Sequence, residues 1–62
     1  MHDDRFLNEK AVSEYTGMSL AWLRQCRMKG TGIRYHKISA SVRYKMSDVV
    51  EYMESHRVSV ES

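Results

Sequence analysis

The residues of this sequence whose types and spacing suggest chemistry are basic or amide side chains. Arg24 and Gln25 are adjacent, and in the major groove of DNA an arginine can pair with guanine and a glutamine with adenine. Ser19, which precedes them, can cap a helix whose N-terminus also holds a phosphate. Arg43 and Lys45 are two residues apart, so a strand would place both on one face, where they suit phosphate contact. These residues indicate non-covalent binding of a polyanion; the alternative is that Arg24 and Gln25 are solvated helix residues and that Arg43 and Lys45 form a solvated strand face.

Catalytic and metal-binding chemistry has less support. Cys26 and the three histidines show no CxxC or HxxxH spacing, so no zinc site is predicted, and Cys26 is interpreted as a small buried apolar residue. Asp3 and Asp4 form a terminal pair, and no spacing brings a serine, a histidine and an aspartate together. The sequence therefore predicts a protein that is not an enzyme and needs neither a metal nor another cofactor.

The charges of the chain are unevenly distributed. Its net charge is only +2, but the segment from Met18 to Ser47 contains seven of the ten basic residues and none of the eight acids. One side of the folded chain can therefore be positive, which is typical of a protein that binds nucleic acid. A solvated basic surface without a ligand is an equally good interpretation of the charge alone.

Length and composition favour one small globular domain. The 62 residues are predicted to form a single domain over 1–62, with an ordered core of about 6–56 and flexible ends. A hydrophobic content of 42% suffices for a globular fold. The single cysteine excludes an intramolecular disulfide, which favours the cytoplasm, and we find neither a membrane-spanning run nor a signal-peptide core.

Glycines divide the chain into segments, because proline is absent. The first segment predicts a short helix that is capped by Asn8, has Glu9 in its first turn and ends at Gly17. Its buried face comprises Ala11, Val12 and Tyr15. The second segment predicts a helix from Ser19 to Gly30 with a buried stripe of Leu20, Leu23, Cys26 and Met28. Two helices joined by a tight glycine turn are typical of a helix-turn-helix, whose second helix enters the major groove.

The remaining segments predict a hairpin and a third helix. Two alternating runs, 35–38 and 42–46, stand on either side of a three-residue loop, 39–41. His36 and Ile38 are predicted to be partly buried, and the inner face of the second strand to comprise Val42, Tyr44 and Met46. A last helix is capped at Ser47-Asp48, with an apolar face of Val49, Tyr52 and Met53. The predicted fold class is mainly α with a small β-hairpin, in the order α-α-β-β-α, which is a winged helix-turn-helix.

Several of these segments resemble one known family. The run 18–30, MSLAWLRQCRMKG, looks like the second helix of the excisionase-type, MerR-like winged helix-turn-helix domains, which include the AlpA-like phage regulators. The run 30–38, GTGIRYHKI, is similar to the family's Gly-x-Gly-Pro approach to the wing, with Ile33 in place of the proline. Val42-Arg43-Tyr44 and Ser47-Asp48 resemble its second wing strand and the start of its last helix. The resemblance spans about residues 7–56.

The resemblance implies sequence-specific binding of double-stranded DNA, as in an excisionase that directs recombination at a prophage attachment site or in a phage-type transcriptional regulator. The implied partners are DNA, an integrase or other recombinase, RNA polymerase and further copies of the chain on DNA, and the implied location is the nucleoid in the cytoplasm. The predicted DNA-contact residues are Ser19, Ala21, Trp22, Arg24, Gln25, Arg27, Lys29, Arg34, Lys37, Ser41, Arg43 and Lys45. For Trp22 and Arg27 a role in the fold is the alternative. For the whole chain the alternative is a non-catalytic protein-interaction module that keeps the fold without binding DNA.

Overall fold

A short strand precedes two helices, a hairpin and a third helix in the computed structural model, which describes residues 5–58. The elements are β1 (Phe6–Leu7), α1 (Glu9–Thr16), α2 (Leu20–Lys29), β2 (His36–Ile38), β3 (Ser41–Lys45) and α3 (Met46–Ser55). With three helices and a three-stranded antiparallel sheet, the fold mixes α and β structure. The predicted order α-α-β-β-α was therefore incomplete, because it lacked β1. None of the helices within residues 5–58 has the length and apolar character needed to cross a membrane. The predicted flexible ends fall mostly on residues 1–4 and 59–62, which lie outside the described residues.

The first two helices begin and end where the sequence predicted. The side chains of Asn8 and Ser19 each accept a hydrogen bond from the backbone amide three residues later, at 2.8 and 3.0 Å. Gly17 and Gly30 end the helices with φ angles of +80° and +71°, in the left-handed region that glycine adopts without a steric penalty. Only three residues separate α1 from α2, so the chain reverses sharply between them.

The sheet has two faces that differ in what they contact. Strand β3 lies in the centre, with β1 and β2 antiparallel on either side. Leu7 pairs with Tyr44, and both belong to or pack against the core. Because successive side chains of a strand point to opposite faces, the neighbours of these residues point away from the core. This outer face comprises Phe6, His36, Ile38, Ser41, Arg43 and Lys45.

The hairpin turn is shorter than predicted. Ile38 pairs with Ser41, so only Ser39 and Ala40 connect the strands, and the predicted three-residue loop was wrong. Ser39 has a φ of +56°, which meets the need of two-residue hairpin turns for a positive φ at the first central residue. Ser41 therefore belongs to β3. His36 and Ile38 are both exposed, so their predicted partial burial was wrong as well.

Strand β3 passes into α3 without a loop. Lys45 is the N-cap residue of α3, and Met46, which we predicted as the end of the strand, is its first helical residue. Ser47 lies inside the helix, so its predicted capping role was wrong. Asp48 is in the first turn as predicted, where a carboxylate interacts favourably with the positive end of the helix dipole.

Five side chains with at most 3% exposure form the core: Val12, Leu23, Ile33, Tyr44 and Val49. Each helix contributes one of them, β3 contributes another, and the segment between α2 and β2 contributes Ile33. Four of the five were predicted as core residues. Ile33 was singled out only as the residue in a proline's place, and its burial shows that it anchors the segment leading to the hairpin.

Three residues predicted on buried faces are exposed. Tyr15 of α1 is 57% exposed, Met28 of α2 is 87% exposed and Met53 of α3 is 40% exposed. Each lies late in its helix, where the neighbouring elements no longer cover the predicted face. Cys26 is partly buried.

We expect replacement by alanine to destabilise the fold more at Gly32 than at Gly17. Its φ is +79°, and a Cβ added there would lie 2.7 Å from the Cβ and 2.9 Å from the Sγ of Cys26. Gly17 has nearly the same φ, +80°, but open space around it. We expect Gly17→Ala to cost about 1–2 kcal/mol from backbone strain alone, and Gly32→Ala to cost about 1–3 kcal/mol more from the clash. Urea denaturation of both variants measures the difference, and equal losses would contradict this packing.

Candidate nucleic-acid interface

Helix α2 presents one continuous exposed face. It comprises Ala21, Arg24, Gln25 and Met28, which are spaced i, i+3, i+4 and i+7 and are all exposed. Residues at this spacing lie side by side along one side of a helix. We call them the α2 face. It contains no acid, and its two hydrogen-bonding side chains stand between two apolar ones. Leu23, which is 1% exposed, is on the opposite side of the helix and anchors α2 in the core.

Met28 is a residue of this face that sequence reasoning missed. Met28 was predicted to lie on the buried stripe with Leu23 and Cys26. Its side chain is instead the most exposed of the large apolar side chains in residues 5–58. The signal was available, because Met28 is three residues from Gln25 and four from Arg24. The apolar tip of such a side chain suits contact with a thymine methyl group or a deoxyribose.

The other predicted residues of α2 have different surroundings. The Ser19 hydroxyl caps the helix and is exposed beside the first free amides of α2. Trp22 is half-buried, packs against the core and contacts the ring of Tyr52 at a centroid distance of 6.0 Å. This packing corresponds to the core-edge alternative for Trp22. Lys29 is exposed in the last turn, next to the α2 face.

Arg27 is held by an acid that the sequence had marked only as a first-turn residue. Its Nε donates to Glu9 Oε2 at 2.7 Å and its Nη2 to Glu9 Oε1 at 3.2 Å. The hydroxyl of Tyr44 donates to the same Glu9 Oε2 at 3.0 Å. This cluster joins α1, α2 and β3, and paired hydrogen bonds between a guanidinium and a carboxylate are among the strongest polar contacts. Arg27 thus serves the fold, and its contact with DNA stays a prediction.

Arg24 lies at the edge of the same cluster. Its Nε is 3.5 Å from Glu9 Oε1, while 62% of its side chain remains exposed. Because the Arg24 side chain is largely in solvent, its ion pair with Glu9 contributes only about 0–1 kcal/mol. Glu9 therefore restrains the guanidinium of Arg24 without covering it, and the group stays accessible to a ligand on the α2 face.

The cluster lowers the pKa of its acid, Glu9, and raises the pKa of its tyrosine, Tyr44. Partial burial alone raises the pKa of Glu9, but hydrogen bonds from Arg27 and Tyr44, together with the charge of Arg27, lower it overall below 4.5. Burial first, and then the hydrogen bond to the Glu9 carboxylate and its negative charge, raise the pKa of Tyr44 to about 12. At neutral pH Glu9 is therefore an anion and Tyr44 a neutral donor, which is the combination that the hydrogen bond requires.

The raised pKa of Tyr44 predicts a loss of stability in alkali. A tyrosine whose pKa is higher in the folded chain contributes stability below pH 10, its ordinary pKa, and loses that contribution as the pH rises toward about 12. We expect urea midpoints of the wild type to fall over this range. In Tyr44→Phe the fall should be smaller, because no buried hydroxyl remains to ionise. Tyr15→Phe, which alters an exposed tyrosine, serves as the control and should follow the wild type. Parallel alkaline curves for Tyr44→Phe and the wild type would contradict the contact.

The other predicted contact residues lie on the hairpin or just before it. Arg43 and Lys45 are half-buried on the outer face, and Arg43 Nη1 donates to the carbonyl of Val42 at 2.8 Å. Lys37 and Ser41 are exposed close to the turn. Arg34 is also exposed and lies 3.9 Å from a carboxylate oxygen of Glu51.

The structure does not bring all predicted residues onto one surface. The inner face of the sheet meets the core through Tyr44, and α2 meets the same core through Leu23. The α2 face and the outer face of the sheet both point away from that core. The predicted residues therefore do not form one surface: some lie on the α2 face, some lie on the outer face of the sheet, and Trp22, Arg27 and Arg34 contact other parts of the fold.

No family model matches the chain, and no curated protein or solved structure is significantly similar to it. Function is therefore inferred from the residues and their geometry.

Proposed function

We propose that this chain binds double-stranded DNA with a sequence preference and acts as a winged helix-turn-helix protein. The observation that carries the proposal is the α2 face, on which Arg24 and Gln25 stand exposed and side by side between Ala21 and Met28. An arginine and a glutamine in the major groove can read guanine and adenine, and flanking apolar side chains can contact thymine methyl groups. The face carries no acid that would repel DNA.

The fold supplies the supports that such a helix needs. The tight turn at Gly17 sets α1 and α2 close together, and the exposed Ser19 cap leaves the amides at the start of α2 near a phosphate. The β2–β3 hairpin takes the place of the wing, and Lys37 and Ser41 beside its turn suit contacts with the DNA backbone.

The biological use is that of an excisionase at an attachment site or of a phage-type transcriptional regulator in the bacterial nucleoid. A single module of this size covers a footprint of roughly 600–1,000 Å². Useful affinity would therefore come from several copies on adjacent sites, or from a partner such as an integrase or RNA polymerase. Footprinting on neighbouring genomic DNA distinguishes the two uses, because an excisionase should protect an attachment site and a regulator a promoter.

A salt series on random duplex DNA tests the proposal. If about four side chains neutralise phosphates, the logarithm of the association constant should fall with the logarithm of salt concentration at a slope of about −3 to −4. Lys10→Ala is a matched control, because this exposed lysine of α1 lies outside the basic segment and should leave the slope unchanged. Absence of binding even at low salt would contradict the proposal and favour the protein-interaction alternative.

A further inference from the structure

The outer face of the sheet carries two aromatic rings beside two cations. Phe6 and His36 come from the two edge strands, and their rings meet edge to face at a centroid distance of 5.2 Å and an angle of 88°. Lys45 stands directly opposite Phe6 in the sheet, and Arg43 directly opposite His36. None of the three strands contains an acid. The rings and the cations therefore form one mixed surface.

The core does not explain the position of Phe6. Its neighbour Leu7 packs against the core, whereas Phe6 points to the other face of the sheet and remains 52% exposed. The edge-to-face contact with His36 fixes the orientation of the pair but occupies the face of only one ring. An aromatic surface therefore stays open to a ligand.

The chemistry of this surface fits nucleic acid with unpaired bases. Proteins that hold single strands combine aromatic side chains, on which bases stack, with basic groups that follow the phosphates. A base inside a duplex cannot present its flat face to a protein, so duplex DNA could use the cations but not the rings. An acidic peptide also could use the cations, but it has no need of exposed ring faces.

We propose that the outer face of the sheet binds single-stranded DNA, with a base stacked on the Phe6–His36 pair and phosphates held by Arg43 and Lys45. This site is formed by residues of the three strands and not by those of the α2 face, and it does not depend on duplex binding by that face. A chain with both surfaces could hold a duplex and an adjacent unpaired strand together.

The test is the affinity of the full chain for a fluorescently labelled deoxythymidine oligonucleotide of ten nucleotides, with a random duplex as comparison. Phe6→Leu removes the ring but keeps an apolar side chain, and we expect it to weaken oligonucleotide binding at least about fivefold while duplex binding changes little. Phe6→Tyr should restore the affinity. Tyr15→Leu removes an equally exposed ring from α1 and should have no effect.

Three outcomes would overturn the proposal. The first is an unchanged oligonucleotide affinity in Phe6→Leu when circular dichroism shows a folded variant. The second is an equal loss for oligonucleotide and duplex. The third is displacement of the oligonucleotide by a polyglutamate peptide of equal charge, because recognition would then depend on charge and not on bases. If neither the wild type nor any variant binds the duplex, while binding of the oligonucleotide depends on Phe6, the function proposed for α2 is contradicted and this site is supported.

Discussion

Replacing Leu23 by alanine is expected to lower the free energy of unfolding by about 2–5 kcal/mol. Leu23 is 1% exposed and joins α2 to the core that all three helices and β3 share. A chain of 62 residues has a total stability of only about 3–9 kcal/mol. We therefore expect a large fraction of Leu23→Ala to be unfolded at 25 °C, with loss of the cooperative thermal transition seen by circular dichroism.

The matched control for this prediction is Leu20→Ala. Leu20 is in the same helix but only partly buried, so its loss should be smaller and the transition should remain. A Leu23→Ala protein that melts at the temperature of the wild type would contradict the assignment of Leu23 to the core. It would also remove the reason for the orientation of the α2 face.

Replacing Arg24 by alanine should have the largest effect on binding. If Arg24 contacts a base, Arg24→Ala should weaken the binding free energy for the preferred DNA site by about 1–3 kcal/mol, and for random duplex by less. It should also relax the sequence preference at one or two base pairs. The fold should survive, because Arg27 keeps both of its hydrogen bonds to Glu9. Affinity for the preferred site, random duplex and single base-pair variants measures this effect.

Arg43→Ala provides the contrast for Arg24→Ala. A side chain that contacts only phosphate should weaken binding to preferred and random DNA alike and reduce the salt slope by about one unit. Lys10→Ala controls for the loss of a positive charge elsewhere. Equal losses on both DNAs from Arg24→Ala would reassign α2 to backbone contact. Unchanged binding in the variants of both arginines would contradict DNA binding by these surfaces.

Local signals were sufficient to predict the helices of the first half of the chain. Asn8 and Ser19 are caps, and Gly17 and Gly30 are helix ends, because each role depends only on residues within one turn. The pairing of β2 with β3, which are close in sequence, was predicted as well, but the turn between them is one residue shorter than predicted. The α2 face was partly predicted for this reason, since Arg24 and Gln25 fall off the buried stripe by spacing alone.

Contacts between residues that are far apart in the chain could not be predicted from the sequence. Glu9 meets Arg27 and Tyr44 across separations of 18 and 35 residues, and no local pattern marks such a cluster. Strand β1 has two residues, too few to show alternation. Met28 was predicted to be buried and is exposed, and no local pattern predicted the burial of Ile33, because burial near the end of a helix depends on which element crosses it.

The most direct measurement is a map of backbone amide chemical shifts in the isotope-labelled chain as duplex DNA is added. We expect the largest changes in the amides of residues 19–29, with smaller changes in the hairpin, residues 36–45, and little change in the exposed half of α3. Changes confined to α3 or to the outer face of the sheet, with α2 unaffected, would contradict DNA binding by the α2 face.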